Sequence, residues 1–181
     1  MENNHNNHNN DRGQMLTGMF SDRESTESAY NALHERGYAK EDINLVMSDE
    51  TRKKYYSEEN DKSELGTKAA ETAGTGSAIG GTVGAIVGVI AAIGTSLVIP
   101  GLGLIVAGPL AAGLAGTGAG GIAGGIIGAL VGSGIPEDRA KLYESGINNG
   151  HVVMGVHPRN DEDADYLEQN CKTNRCQDIY R

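Results

Sequence analysis

The stretch GTGAGGIAGGIIGALVG at residues 116–132 is the most informative part of this sequence. A similar stretch, GTGSAIGGTVGAIVG, lies at residues 74–88. Both lie in a 65-residue segment, 72–136, that contains no charged residue and no His, Asn, Gln or aromatic residue. This insert holds 20 of the 27 glycines, and the other 116 residues hold all 39 charges. The chain is therefore a charged protein interrupted by an apolar insert, which its mean hydropathy of -0.37 conceals.

In two stretches of the insert, 76–88 and 116–132, glycines recur at every fourth position, which places each series on one side of a helix. We predict that these glycine rails pack helices together; their members are Gly76, Gly80, Gly84, Gly88, Gly116, Gly120, Gly124, Gly128 and Gly132. Interior glycines weaken a helix in water, whereas a bilayer makes an uncharged segment form its hydrogen bonds internally. The spacing therefore predicts a glycine-zipper transmembrane hairpin with helices over 72–93 and 110–133.

Two features of the insert leave its structure open to alternatives. Pro100, Gly101 and Pro109 predict a break and a turn within residues 94–109. The same linker also contains aliphatic residues, so it could be re-entrant or could lengthen either helix. The insert as a whole could instead be buried in a soluble oligomer, or form an aggregation-prone tract.

The flanks predict one α/β domain that the insert splits. The expected elements are a strand ending near Phe20, a helix over 24–36, a strand over 43–47, a helix from Pro136, a strand over 151–157, a helix over 161–170 and a strand over 177–180. Ser21 and Glu24 form a capping-box pattern at the start of the first helix. Neither flank alone buries much apolar surface, so we expect them to fold together as a small split βαβ…αβαβ sandwich, ferredoxin-like or similar.

This organisation divides the chain into five segments. They are a disordered Asn- and His-rich tail (1–13), the first half of the α/β domain (14–50), a charged linker (51–71), the insert (72–136) and the second half of the domain (137–181). A hairpin leaves both halves on the same side of the membrane. Basic residues near its ends, Lys68, Arg139 and Lys141, favour the cytoplasmic side of a bacterial inner membrane.

Several motifs of the flanks resemble the bacterial general stress proteins of the YflT-like, heat-induced type. The N-terminal ones are TGMFSDRE at 17–24, Gly37-Tyr38 and DINLV at 42–46. The C-terminal ones are GIPED at 134–138, Tyr143-Glu144, Gly146, and Gly150 before Val152-Val153, in proteins that often carry a glycine-rich insert. These motifs are turns, caps and strands, and the family offers no established catalytic residues. The resemblance therefore implies a stress-associated bacterial protein of poorly defined activity.

The sequence predicts no catalytic, cofactor or metal site, and so no enzyme and no small-molecule substrate. The glycine-rich segments lack the Lys-Ser or Lys-Thr pair of a phosphate loop. Asp161, Glu162 and Asp163 are interpreted as a solvated cluster that begins a helix. Cys171 and Cys176 are expected to be reduced thiols, with a disulfide that closes their short loop as the alternative in an oxidising compartment.

The leading hypothesis is a non-enzymatic, membrane-associated bacterial stress-response protein. The lipid bilayer would anchor the glycine-zipper helices, which would also self-associate into a homo-oligomer, and the α/β domain would be a cytoplasmic interaction surface. The net charge of -9, with acidic flanks on both sides, argues against nucleic acid as a partner. Two further hypotheses are an oligomeric glycine-zipper pore, and a soluble binding module that coats membranes or partner proteins reversibly.

Overall fold

The computed structural model describes residues 14–56, 97–99, 103–111 and 124–181, which form an α+β fold with one antiparallel sheet. The strands are β1 (Leu16–Phe20), β2 (Ile43–Ser48), β3 (Leu97–Ile99), β4 (Leu104–Ala107), β5 (Val152–Val156) and β6 (Gln177–Tyr180). The helices are α1 (Arg23–Glu35), α2 (Asp49–Tyr55), α3 (Gly125–Gly132), α4 (Glu137–Asn148) and α5 (Asp161–Thr173), with a 3-10 turn at Lys40–Asp42.

The sheet has the order β3-β4-β2-β5-β1-β6, and every neighbouring pair is antiparallel. Val156 of β5 lies opposite Leu16 of β1 on one side and Ile43 of β2 on the other. Because β5 separates β1 from β2, the unit β1-α1-β2 does not pair its own two strands. The inner order β6-β1-β5-β2, with α1 and α5 as the connecting helices, is the strand order of a βαββαβ unit.

The predicted fold class, a split sandwich interrupted by a transmembrane hairpin over 72–136, is wrong. Part of the insert belongs to the sheet, since β3 pairs with β4 and β4 pairs with β2. Helix α3 has only eight residues, and no helix in the described part of the chain has the length and apolarity needed to cross a membrane. The predicted first helix, 72–93, and residues 112–123 of the second lie outside the described residues.

The physical reason for the error is that absence of charge suits a protein core as well as a bilayer. Leu104–Ala107 is a short aliphatic run near Pro and Gly, which is typical of a strand buried on both faces. All four residues of β4 are buried, as are Val46 and Met47 beside them in β2. The insert therefore supplies sheet residues that the flanks lack.

Both faces of the sheet are covered, because alternate residues of each strand enter two separate cores. The first core lies under α1 and α5 and contains Phe20, Tyr30, Tyr38 and Leu167. The second core lies under α3 and α4, and its members include Met19, Val46, Val106, Ile126, Leu130, Tyr143 and Ile147. The second core thus joins residues of the insert to residues of both flanks.

The flank elements that the sequence predicts begin and end close to their expected positions, whereas α2 (Asp49–Tyr55) is not predicted and extends into the segment expected to be a charged linker. The cap of the first helix also differs. Helix α1 is capped by Asp22 instead of Ser21: the Asp22 Oδ1 atom accepts a hydrogen bond from the Ser25 backbone N–H at 2.8 Å. A carboxylate at this position also suits the positive end of the helix dipole. The hydrogen bond is the main reason that the pKa of Asp22 lies below its usual value.

Candidate functional site: the insert side of the domain

Asn44 of β2 joins the insert to the sheet. This side chain is 1% exposed, and its Nδ2 atom donates a hydrogen bond to the Gly155 carbonyl oxygen at 3.0 Å. Its Oδ1 atom accepts a hydrogen bond from the backbone N–H of Leu110 at 2.8 Å. Because a buried amide without partners is costly, both bonds favour one position for the chain that leaves β4.

Gly108 brings this part of the insert against the backbone of β2. Its φ of 90° is in the left-handed region that glycine adopts without strain. A Cβ atom at Gly108 would overlap with the Ile43 carbonyl oxygen and would lie 3.0 Å from the Asn44 Cα atom. The insert therefore approaches β2 more closely than any other residue type at this position would permit.

Helix α3 ends in a Schellman motif, and the two apolar residues of that motif pack in the second core. The backbone N–H of Ile135 donates to the Leu130 carbonyl at 3.1 Å, and the N–H of Gly134 donates to the Val131 carbonyl at 2.9 Å. Gly134 has a φ of 89°, as this motif requires, and Ile135 and Leu130 are both buried in the second core. The GIPED motif thus ends α3 and begins α4, with Pro136 at the N-cap position of α4.

Three of the predicted rail glycines are described, and they lie on the side of α3 that points away from the sheet. Gly124 and Gly132 are exposed, Gly128 is half-buried, and a Cβ atom at Gly132 would have no neighbour within 4 Å. The buried side of the helix consists of Ile126, Ala129 and Leu130. The other rail residues, Gly76, Gly80, Gly84, Gly88, Gly116 and Gly120, lie outside the described residues.

We call this surface the α3 outer face; it consists of Gly124, Gly128, Val131 and Gly132, and the half-buried Ile127 at its border also packs against the second core. It carries no charge and no side-chain hydrogen-bonding group, and the Val131 side chain is 41% exposed. The outward side of the neighbouring helix α4 is charged, with Glu137, Asp138 and Lys141 exposed, and so is that of α5 on the opposite face of the sheet, with Asp161, Glu162 and Asp165 exposed. An apolar outward side on a helix is unusual in water, so the α3 outer face is the candidate functional surface.

The acidic cluster at the start of α5 differs from its interpretation as solvated, because Asp163 is only 3% exposed. It accepts hydrogen bonds from Arg159 Nε at 2.5 Å, Arg36 Nε at 3.1 Å and the Tyr38 hydroxyl at 3.1 Å. The Arg159 hydrogen bond is the largest reason that the pKa of Asp163 is lowered, and burial opposes it. The spacing of Arg159 and Asp163, four residues apart, is the sequence signal that indicates this pair.

Tyr143, which belongs to the resemblance motifs, ties three elements together. Its hydroxyl lies 2.9 Å from Thr17 Oγ1 in β1 and donates a hydrogen bond to the Asp178 carbonyl oxygen in β6 at 2.8 Å. Burial raises the pKa of Tyr143 to about 12, so the hydroxyl keeps its proton at neutral pH. These contacts give Tyr143 a structural role.

Within the described ranges, no group of three or more His, Cys, Asp or Glu side chains is arranged to hold a metal ion. Cys171 and Cys176 are free thiols. A search of family models, of curated proteins and of solved structures found nothing that matches this chain, so the resemblance to the general stress proteins stays a prediction.

Proposed function

We propose that this protein is a non-enzymatic bacterial stress-response protein that binds reversibly to the surface of the cytoplasmic membrane and to further copies of itself. In this proposal the α+β domain is the scaffold, and the glycine-rich insert supplies the surface that binds. The observation that supports this proposal is the α3 outer face, an uncharged surface of glycines and the 41% exposed Val131 that lies beside the charged outward side of α4. Removal of such a surface from water is favourable in contact with lipid or with a like surface.

The position of α3 favours reversible surface binding over assembly into a pore. Ile126 and Leu130 are buried against this chain's own sheet, at 7% and 2% exposure. A pore would need α3 to leave that core and to pack in a ring of helices, at the cost of exposing both side chains. Reversible binding keeps the core intact and uses only the outward side of the helix.

Flotation with vesicles of phosphatidylethanolamine and phosphatidylglycerol tests the proposal. Binding driven by apolar contact should persist in high salt, and a carbonate wash should release the full-length protein from the vesicles. Val131→Asp places a charge on the α3 outer face and should lower the vesicle affinity about tenfold, since a buried valine contributes about 1.5–3 kcal/mol.

Leu142→Asp is the matched control, because Leu142 is 45% exposed on α4 among charged residues. This variant should bind vesicles as the wild type does. Sedimentation equilibrium of the same proteins measures self-association, which Val131→Asp should weaken and Leu142→Asp should not. Equal effects of the two substitutions, or retention of the wild type after carbonate, would overturn the proposal.

A further inference from the structure

Cys171 and Cys176 come together where α5 ends and the chain turns into β6. Cys171 lies in the last turn of α5 and is 8% exposed, whereas Cys176 is half-buried directly before β6. The Cys176 backbone N–H donates a hydrogen bond to the Cys171 carbonyl oxygen at 2.9 Å. This bond closes the intervening loop and brings both side chains to the same side of β1.

Gly18 of β1 leaves the space that the two sulfur atoms occupy. A Cβ atom at Gly18 would overlap with the Cys176 Sγ atom and would lie 3.7 Å from the Cys171 Sγ atom. Both sulfur atoms therefore lie within 3.7 Å of one point on the sheet. The Cys176 thiol also donates a hydrogen bond to the Gln177 carbonyl oxygen at 3.7 Å.

The two thiols interact directly with each other. A hydrogen bond from the Cys176 thiol lowers the pKa of Cys171, against burial and the nearby negative charge of Glu168. The same hydrogen bond, together with burial, raises the pKa of Cys176. The pKa shifts of the two thiols are therefore opposite in direction, and they favour ionisation at Cys171 over ionisation at Cys176.

A small cavity and two unusual backbone positions lie beside the pair. A cavity of about 10 Å³ borders Cys171 and is lined mainly by aliphatic side chains, among them Leu167 and Val156. Arg175 and Asp178, on either side of Cys176, have φ values of 57° and 51°, which are uncommon for residues other than glycine. Such backbone positions are held by their surroundings and are frequent at sites that change conformation.

We propose that Cys171 and Cys176 form a redox-active dithiol, which a hydroperoxide converts into an intramolecular disulfide. The thiolate attacks the terminal oxygen of the hydroperoxide, the O–O bond breaks, and a sulfenic acid and an alcohol or water are formed. The second thiol then attacks the sulfenic sulfur, and the S–S bond forms as the S–O bond breaks. The displaced hydroxyl combines with the thiol proton and leaves as water. Two electrons pass from the two sulfurs to the peroxide oxygens, and a dithiol reductant reverses the reaction.

Hydrogen peroxide applied to the full-length protein tests this proposal. Under denaturing conditions, N-ethylmaleimide should add to two thiols per chain before oxidation and to none after it, with a monomer on a non-reducing gel. Dithiothreitol should restore both additions. Two additions after oxidation, or a disulfide-linked dimer as the main product, would overturn the proposal.

Two glycine variants distinguish the effect of the geometry of this site from a general effect on folding. Gly18→Ala places a methyl group where the Cys176 sulfur lies and should slow disulfide formation about tenfold or more, because small displacements of reacting atoms are costly. Gly155→Ala introduces the same change in the neighbouring strand β5, against Met15 and Thr17, and should keep the wild-type rate. Equal slowing in both variants would contradict the assignment of Gly18 to the site.

Discussion

The two faces of the sheet are built from different kinds of sequence. The face under α1 and α5 comes mostly from the charged flanks, and its core contains Phe20, Tyr30, Tyr38 and Tyr56. The face under α3 and α4 contains a single aromatic residue, Tyr143, among its buried members, and the insert contributes much of its aliphatic surface. Both cores are nonetheless closed to solvent, with most members under 5% exposed.

This difference teaches that an apolar, glycine-rich segment can be part of a domain core without any of the amphipathic pattern that usually identifies one. The first core is recognisable because charged residues alternate with buried ones in α1 and α5. The second core gives no such signal on α3, where the outward residues are as apolar as the buried ones. Substitutions on each face test whether the two are equivalent in stability, beginning with the largest expected effect.

Leu130→Ala and Leu33→Ala remove the same atoms from the two faces. Leu130 and Leu33 are each 2% exposed, in the second and first core respectively. Each substitution should lower the free energy of unfolding by about 2–5 kcal/mol, because a cavity is left in a packed core. Urea denaturation followed by circular dichroism measures both. A loss below about 0.5 kcal/mol for Leu130→Ala alone would show that α3 is not part of the core.

Gly108→Ala tests the close approach of the insert to β2. The new Cβ atom would overlap with the Ile43 carbonyl, and the residue would have to keep a φ of 90°. Strain and overlap together should cost about 3 kcal/mol in the same denaturation experiment. Gly103→Ala is the control: its φ is 61° but its Cβ atom has open space, so it should cost only about 1 kcal/mol.

The sequence predicts the flank elements well because each carries a local signal. Helix α1 has an apolar stripe at helical spacing and ends before Gly37, and β5 is a run of aliphatic residues bounded by polar ones. The strand order is different in kind, since β5 lies between β1 and β2 only through pairings more than 100 residues apart, such as Asn44 with Gly155. No local pattern contains that information.

The candidate surface shows the same division between local and non-local information. Gly124, Gly128 and Gly132 are spaced four residues apart, which identifies a glycine rail from the sequence alone. Which way the rail points depends on the docking of Ile126, Ala129 and Leu130 in the second core, beside strand residues such as Val46 that are far away in the sequence. These contacts turn the rail outward, where a helical hairpin would have turned it inward against a second helix.

Asp163→Asn tests the ion pairs of α5, the helix that covers the first core. In these pairs Arg159 and Arg36 contact the buried carboxylate of Asp163. We expect a loss of about 1–2 kcal/mol at neutral pH, because two charge-assisted hydrogen bonds weaken but both arginines remain partly in water. The control is Asp161→Asn, since Asp161 is exposed in the same turn, and its stability should stay within about 0.5 kcal/mol of the wild type.

The pH dependence of Asp163→Asn gives this prediction a sign. The pKa of Asp163 is lowered in the folded protein, so its contribution is complete above the unfolded value of about 3.9 and is lost as the pH falls through the folded value. The stability difference between wild type and variant should therefore be constant from about pH 5 to 7 and should shrink below about pH 4. Denaturation curves across this range measure it, and a difference that grows in acid would contradict the ion pair.

Gly132→Ala has the smallest expected effect. The sign of this effect distinguishes an α3 docked on the sheet from an α3 packed along its glycine rail against a second helix. In the docked helix, Gly132 is exposed and its Cβ atom has no neighbour within 4 Å, so alanine should stabilise the monomer by up to about 0.5–1 kcal/mol through helix propensity. In a helix pair packed along the rail, the same methyl group would separate the backbones and destabilise the fold. Thermal unfolding of dilute protein measures the stability of the monomer, and sedimentation measures self-association through the α3 outer face. Higher monomer stability with weaker self-association is expected, because one methyl group favours the helix and disfavours its contact with a second rail.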